Sequence, residues 1–200
     1  MSGVAEWTWG FTGRVAIVAA ASKGLGRAVA VELAGEGAHV AICARTASTL
    51  AETAGQIQKT TGGEVLQQAL NVTDSAAVAA FAATVEDRLG RIDICVTNSG
   101  DPPSNVFKNA PLEAWRAALD QLLMSTIFCK ETLPRIQKNK WGRLITITSS
   151  AVKRAVDGLL GSNSIRAAVT GLARTLASEY AADGIAVNKT APRSPSTVAS

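Results

Sequence analysis

The sequence predicts an α/β fold, a doubly wound parallel sheet within a single domain, and three observations carry that expectation. Short apolar runs of strand length alternate with longer segments in which apolar residues recur at helical spacing. A glycine-bearing turn joins the first such run to the first such helix. Breakers stand where successive helices should close, at Gly35 and Gly37, at Gly62 and Gly63, and at Gly90. Strands separated by helices pair in parallel and are covered on both faces, and such sheets bind ligands beyond the strand carboxyl ends.

Residues 15–18 (VAIV) read as the first strand. Small residues at 19–22 lead to Gly24-Leu25-Gly26, and from Arg27 the spacing of Val29, Val31 and Leu33 predicts a helix. Glycines let a backbone approach a pyrophosphate, and the free N–H groups of a helix N-terminus point at the anion. Lys23 adds a positive charge inside this turn. Two readings stand, a phosphate cradle or an ordinary strand-to-helix corner. The cradle is favoured by its place near the N-terminus, between the right elements and ahead of further such units.

The second strand spans 39–44, opened by the chain's one histidine, His39, whose place reads as structural, with Arg45 just beyond the end. A helix is expected over 47–59 and a third strand over 64–70, running into Asn71-Val72. A helix over 75–89 precedes the fourth strand, 92–96, which runs into Thr97-Asn98-Ser99-Gly100. A loop with Pro102-Pro103 leads to a long helix over 112–138, with Pro134 as a candidate bend. The fifth strand, 144–148, ends in Ser149-Ser150; a helix over 162–182 and a sixth strand, 185–188, complete the pattern. With no internal repeat and no linker, residues 1–192 read as one dinucleotide-binding domain. Residues 193–200, rich in Pro, Ser and Thr, read as a disordered tail.

The 200 residues, 47% hydrophobic, suffice for one domain with a sizeable core, and the net charge of +4 is mild. The densest basic group, Lys138, Lys140 and Arg143 around Trp141, is either a nucleic-acid face or a solvated loop. The scatter of the other basic residues favours the loop, so no nucleic-acid partner is expected. Cys43, Cys95 and Cys129 lie inside apolar runs without CxxC spacing. They read as buried, reduced thiols of a cytoplasmic protein, neither a disulfide frame nor a metal site. The N-terminal MSGVAEWTWGF lacks a basic flank and apolar core, so no signal peptide is expected, and no run reaches membrane-spanning length.

Several motifs then occur in a telling order. AAASKGLG stands where one family has Thr-Gly-x-x-x-Gly-x-Gly, TNSG where it has Asn-Asn-Ala-Gly, and ITSS and GIAVNKTAP fall at matching positions. From Phe11 to about Pro192 the chain resembles the short-chain dehydrogenase/reductase family, most nearly its bacterial 3-oxoacyl-carrier-protein reductase-like members. The resemblance implies a Rossmann-type sheet, a homo-oligomer, and a small carbonyl or alcohol substrate. It implies NAD(P) along Ala20, Ser22, Lys23, Gly24, Leu25, Gly26, Arg45, Asn71, Val72, Asn98, Ser99, Gly100 and Arg166. NAD-selective members tend to hold the adenosine ribose with an acidic residue at the end of strand two. That slot is Ala44 here, with Arg45 beside it, so NADP is expected before NAD. The alternative is that Lys23 and Arg45 are simply solvated charges.

The family's catalytic set is Asn, Ser, Tyr and Lys, and only the serine survives, as Ser149. Ser162 stands for the tyrosine that passes the proton, Arg166 for the lysine that holds the ribose, and Leu122 for the asparagine that supports a relay water. Lys153 is either a surrogate acid or a loop lysine in solvent. Ala19-Ala20 replaces Thr-Gly, which strains the turn if Ala20 adopts a positive φ, and Asn71 replaces an aspartate. The pattern also stops before the family's lid and seventh strand, leaving strand six an expected open edge that invites pairing. The expectation is an NADP-linked oxidoreductase with weak or altered catalysis. A non-catalytic dinucleotide-binding or interaction protein and a truncated inactive homologue are the alternatives.

Overall fold

The first apolar run becomes β1, Val15–Ala19, buried at every residue. It is followed by α1 (Gly24–Gly35), β2 (His39–Ala44), α2 (Ala47–Thr61), β3 (Val65–Ala69) and α3 (Ser75–Leu89). Then come β4 (Ile94–Thr97), α4 (Leu112–Gln137), β5 (Gly142–Ile147), α5 (Leu160–Tyr180) and β6 (Ile185–Thr190). The computed structural model describes residues 10–100 and 104–192; the tail expected at 193–200 lies outside them.

The six strands form one sheet in the order β3-β2-β1-β4-β5-β6, and every pairing is parallel. Ala16 sits between Val40 of β2 and Ile94 of β4. The chain leaves the sheet at β3 and returns on the other side of β1, so the crevice beyond β1 and β4 is where a ligand of this topology binds.

Alternation along the strands divides the core between two faces. Ala16, Val18, Val40 and Ile42 meet Leu33 of α1 and Leu50 and Ile57 of α2. Ile17, Cys43, Cys95 and Leu144 meet Phe81 and Val85 of α3 and Met124, Phe128 and Leu133 of α4. Each large apolar side chain so buried contributes about 1.5–3 kcal/mol. The three cysteines are free and buried, as the sequence implied. Burial pushes the Cys43 and Cys95 thiols from 9.0 up to about 12, and raises that of Cys129 further.

At the amino ends of the strands the fully buried carboxylate of Asp93 accepts from the Val15 N–H at 3.0 Å, from Arg14 at 3.2 Å and from Arg91. The guanidinium carbons of Arg14 and Arg143 lie 3.9 and 4.2 Å from the Trp141 ring centroid. Lys138 pairs with Glu86 at 2.8 Å and Lys140 with Asp183 at 3.2 Å. The basic group noted in the sequence is thus met locally by acids and an indole.

The elements follow the expected order, with local differences. α1 begins at Gly24 rather than Arg27, because Gly24, at φ +58°, turns the chain straight into the helix from an extended Lys23. α4 continues through Pro134 as one helix. Short 3-10 turns at Phe107–Asn109, Ser150–Val152 and Ala181–Asp183 carry no periodic signal in the sequence. Among the described residues β6 pairs only with β5 and forms an edge of the sheet. No described helix is long and apolar enough to cross a membrane.

Candidate functional site

The glycine turn is built by close approach. A Cβ on Gly26 would lie 2.5 Å from the Ala20 carbonyl oxygen and 2.8 Å from Asn98 Nδ2, so only glycine lets α1 dock onto the ends of β1 and β4. Asn98, itself buried, donates to that carbonyl at 3.4 Å. Ala20 takes φ +49°, the left-handed conformation that the missing glycine made a concern. The strain is held by its neighbours: the Ala21 N–H donates to the Cys43 carbonyl at 3.1 Å, and Thr53 Oγ1 donates to the Ser22 carbonyl at 3.1 Å.

Lys23 caps α1 without any side-chain hydrogen bond, so the first N–H groups of that helix open toward the crevice. Lys23, Gly24 and Leu25 are exposed at this corner, and Arg45 is exposed just beyond β2. Asn71 Oδ1 accepts from the backbone N–H and the hydroxyl of Thr73, at 3.2 and 3.0 Å, so this oxygen shapes its own turn. Val72 packs against the core. Ser99 Oγ donates to Gln121 Oε1 at 3.5 Å, a long contact.

At the positions that the resemblance assigns to catalysis, Ser149 caps the turn after β5, where its Oγ accepts from the Ala151 N–H at 3.2 Å. Ser162 is buried in the first turns of α5, a helix that packs against that same 3-10 turn. Arg166 is only 6% exposed. Its Nη1 donates to the Ile147 carbonyl at 3.1 Å and its Nη2 to the Gly100 carbonyl at 3.5 Å. The guanidinium therefore ties α5 to the end of β5 and to the segment after β4. Leu122 packs with Ala118, Ile165 and Val169 between α4 and α5. Lys153 is exposed at the end of the 3-10 turn. Tyr180 ends α5, about five turns from Ser162.

The fold thus gathers the glycine turn, Asn98 to Gly100, Ser149, Ser162 and Arg166 at the carboxyl ends of β1, β4 and β5. Lys23 lies within that turn, and Arg45 follows β2, on the other side of β1 from β4 and β5. Sequence reasoning missed Thr53, Gln121 and Asn163, which support these segments and carry no motif.

The family model for short chain dehydrogenase matches residues 14–199. The chain belongs to this family. It is 33% identical to a Synechocystis 3-oxoacyl-(acyl-carrier-protein) reductase over 182 residues, covering 90% of this chain and 74% of that protein. The Escherichia coli 3-oxoacyl-(acyl-carrier-protein) reductase FabG is 32% identical, with 91% and 73% covered. Among solved structures, L-sorbose reductase from Gluconobacter frateurii, complexed with NADPH and L-sorbose, superposes with a TM-score of 0.89 at 28% identity. That match covers 93% of this chain and 71% of the reductase. An NAD+-bound xylitol dehydrogenase, 22% identical, shares the fold at a TM-score of 0.86.

The placement of Arg166 yields a test. Removing a buried donor leaves its carbonyl partners unsatisfied, at about 1–3 kcal/mol. Arg166→Ala is expected to lower Tm by several degrees, and Arg166→Lys to recover only part, since an ammonium lacks the planar fork. A Tm unchanged in both variants would show that the guanidinium does not tie the strands.

Proposed function

We propose that the chain is an NADP-linked oxidoreductase of a small carbonyl or alcohol substrate, of the 3-oxoacyl thioester reductase type, working slowly. The observation that carries the cofactor choice is Arg45 exposed beyond β2, with neutral Ala44 in the slot before it and Lys23 exposed at the glycine turn. A 2′-phosphate there meets two cations and no carboxylate at that slot. The residues present fit a dinucleotide: the N–H groups at the start of α1 have no side-chain cap, and Gly24, with no atom within 4 Å of where a Cβ would stand, leaves the turn open to a phosphate. The reductase from Gluconobacter frateurii, solved with NADPH, supports the same choice.

Bound NADPH would supply the hydride; the rest of the chemistry falls to this chain. Because Ser149 Oγ accepts from the Ala151 N–H, its own O–H remains to donate to a carbonyl oxygen. Ser162 offers only an alkyl hydroxyl, a far weaker acid than a phenol of pKa about 10. Arg166 does not deprotonate, and its guanidinium is engaged on main-chain carbonyls, so it holds geometry and passes no proton. The apolar packing of Leu122 leaves no polar anchor for a relay water at that position. Without a built-in acid the reaction loses the roughly 10²–10⁴-fold that general-acid help supplies.

Two measurements test this. Fluorescence titration is expected to show NADPH binding at least about tenfold more tightly than NADH, since a charge-assisted contact is worth about 1.5–3 kcal/mol. Arg45→Ala should erase most of the difference. Equal affinities in wild type would remove NADP from the proposal. In turnover with simple ketones or 3-oxoacyl thioesters, wild type should be slow and Ser162→Ala should leave the rate within about threefold, as Ser162 is no effective acid. Brisk turnover that survives Ser162→Ala would point to another acid, Lys153 first. Cofactor binding with no turnover would leave a dinucleotide-binding protein.

We also propose self-association. Among the described residues β6 pairs only with β5, and an unpaired edge presents a row of backbone donors and acceptors to another chain. Sedimentation should show a species larger than one chain; a clean monomer across micromolar concentrations would remove this part of the proposal.

A further inference from the structure

The segment between Ser149 and Ser162 runs from the end of β5 to the start of α5, beside the place where the proposed carbonyl substrate would sit, and its middle is exposed. Lys153, Arg154, Ala155, Val156 and Asp157 are all at the surface, Val156 at 41% exposure. An exposed stretch with so little packing should move freely unless hydrogen bonds hold it. One side chain supplies two. Asn163 Oδ1 accepts from the Val156 N–H at 3.2 Å, and Asn163 Nδ2 donates to the Val156 carbonyl at 3.0 Å. The carboxamide meets one residue as a neighbouring strand would, satisfying both of its backbone groups.

The far end of the segment is pinned separately. Leu159 bridges in parallel to Asn105, the Leu160 N–H donates to the Asn105 carbonyl at 3.2 Å, and the Asn163 N–H donates to the Leu159 carbonyl at 2.8 Å. A small pocket opens at this seam, lined by Asn105, Ala110, Ala114, Trp115, Leu160 and Gly161. The near end is held by the turn that Ser149 caps. Besides the Asn163 pair, the middle of the segment carries only the local bond from the Leu159 N–H to the Val156 carbonyl at 3.2 Å, so among the bonds described Asn163 alone ties it to a side chain of α5. That pair lies beside Ser162 and one turn before Arg166.

We propose that Asn163 is a positioning residue: its carboxamide clamps the 153–159 segment onto the first turn of α5 and so sets the wall of the substrate end of the crevice. The substrate half of this inference rests on the reductase reading; the clamp does not. Because the cations proposed for the cofactor, Lys23 and Arg45, belong to other elements, loosening the wall should change substrate binding and leave dinucleotide binding alone.

Trypsin reads the clamp directly, since Lys153 and Arg154 are exposed cleavage points within the segment. With the full chain and NADPH present, Asn163→Ala is expected to speed cleavage there at least about tenfold while NADPH affinity stays within about twofold. Asn163→Asp keeps the acceptor for the Val156 N–H and loses the donor, so its cleavage rate should fall between the two. Amide exchange should follow the same order, with the Val156 amide protected in wild type, partly protected in the aspartate variant and open in the alanine variant. In turnover of a simple ketone, Asn163→Ala should raise KM about fivefold with kcat within about twofold, the signature of a displaced wall. Where turnover is too slow to time, protection of the Arg154 site by the ketone, lost in the alanine variant, replaces KM.

Cleavage and exchange unchanged in Asn163→Ala would overturn the clamp. Faster cleavage with unchanged KM, or unchanged ketone protection, would overturn the substrate-positioning role. Failure of wild type to bind NADPH would overturn the reductase reading and the substrate half with it, while the cleavage order still decides the clamp.

Discussion

α1 reaches the ends of β1 and β4 only because residue 26 carries no side chain. A methyl group there would collide with the Ala20 carbonyl and with the Asn98 amide at once. Everything at the crevice follows from that contact. It fixes where the helix N-terminus points and brings the turn after β1 against the end of β4. It also holds Ala20 in a left-handed conformation that costs an alanine about 1–2 kcal/mol. That strain persists because Asn98, Cys43 and Thr53 bind the carbonyls and amides on either side of it. A glycine at 20 would relieve the cost without changing the geometry, so the requirement sits at 26 and the tolerance at 20.

The opposite ends of the same strands are held by charge. Asp93, with no exposed surface, receives the Val15 amide and two guanidiniums immediately before β4. A buried carboxylate is tolerable only when paired and hydrogen-bonded, and here it locks the start of β1 to the segment that opens β4. Arg14 and Arg143 then stack on Trp141, closing the sheet's underside. The rigid end and the open end are thus separate: ion pairs and an indole at the amino ends, loops and single side-chain tethers at the carboxyl ends. This division suits a fold whose ligands enter at one edge only.

How much of this was legible depended on whether a residue's role was periodic. α3 was readable to its last residue because Asp74 caps it, donating nothing and accepting from Ala77, while Gly90 ends it in the left-handed region. The strands showed through their apolar runs, and their parallel pairing followed from the alternation with helices, whereas the order β3-β2-β1-β4-β5-β6 carried no signal in the sequence. Other features had no periodic signal. The start of α1 was misplaced because a glycine reads as a loop residue, although Gly24 here begins the helix. The tie made by Arg166 could not be seen, because the letter alone does not say that its guanidinium turns inward to the ends of β4 and β5. Nor could Asn163, whose partner is a backbone group seven positions earlier.

Two of the positions that the family resemblance assigns to catalysis, 122 and 166, meet on the same helix contact. Leu122 is packed against Ile165 and Val169, on the helix that carries Ser162 and Arg166. An amide set at 122 within that contact would need a partner of its own, and a buried polar group without one costs about 1–3 kcal/mol. A shorter ammonium at 166 has no planar fork to reach both the Ile147 and Gly100 carbonyls, which now depend on the guanidinium. Leu122 and Arg166 are thus fitted to the neighbours they have, and exchanging either one alone would leave polar groups without partners. Substitutions in mutual contact are not additive. The result is a connected packing arrangement in which Leu122 joins α4 to α5 and Arg166 ties α5 to the end of β5 and to the segment after β4. Ser149, after β5, lies against the same helix through the 3-10 turn that it caps.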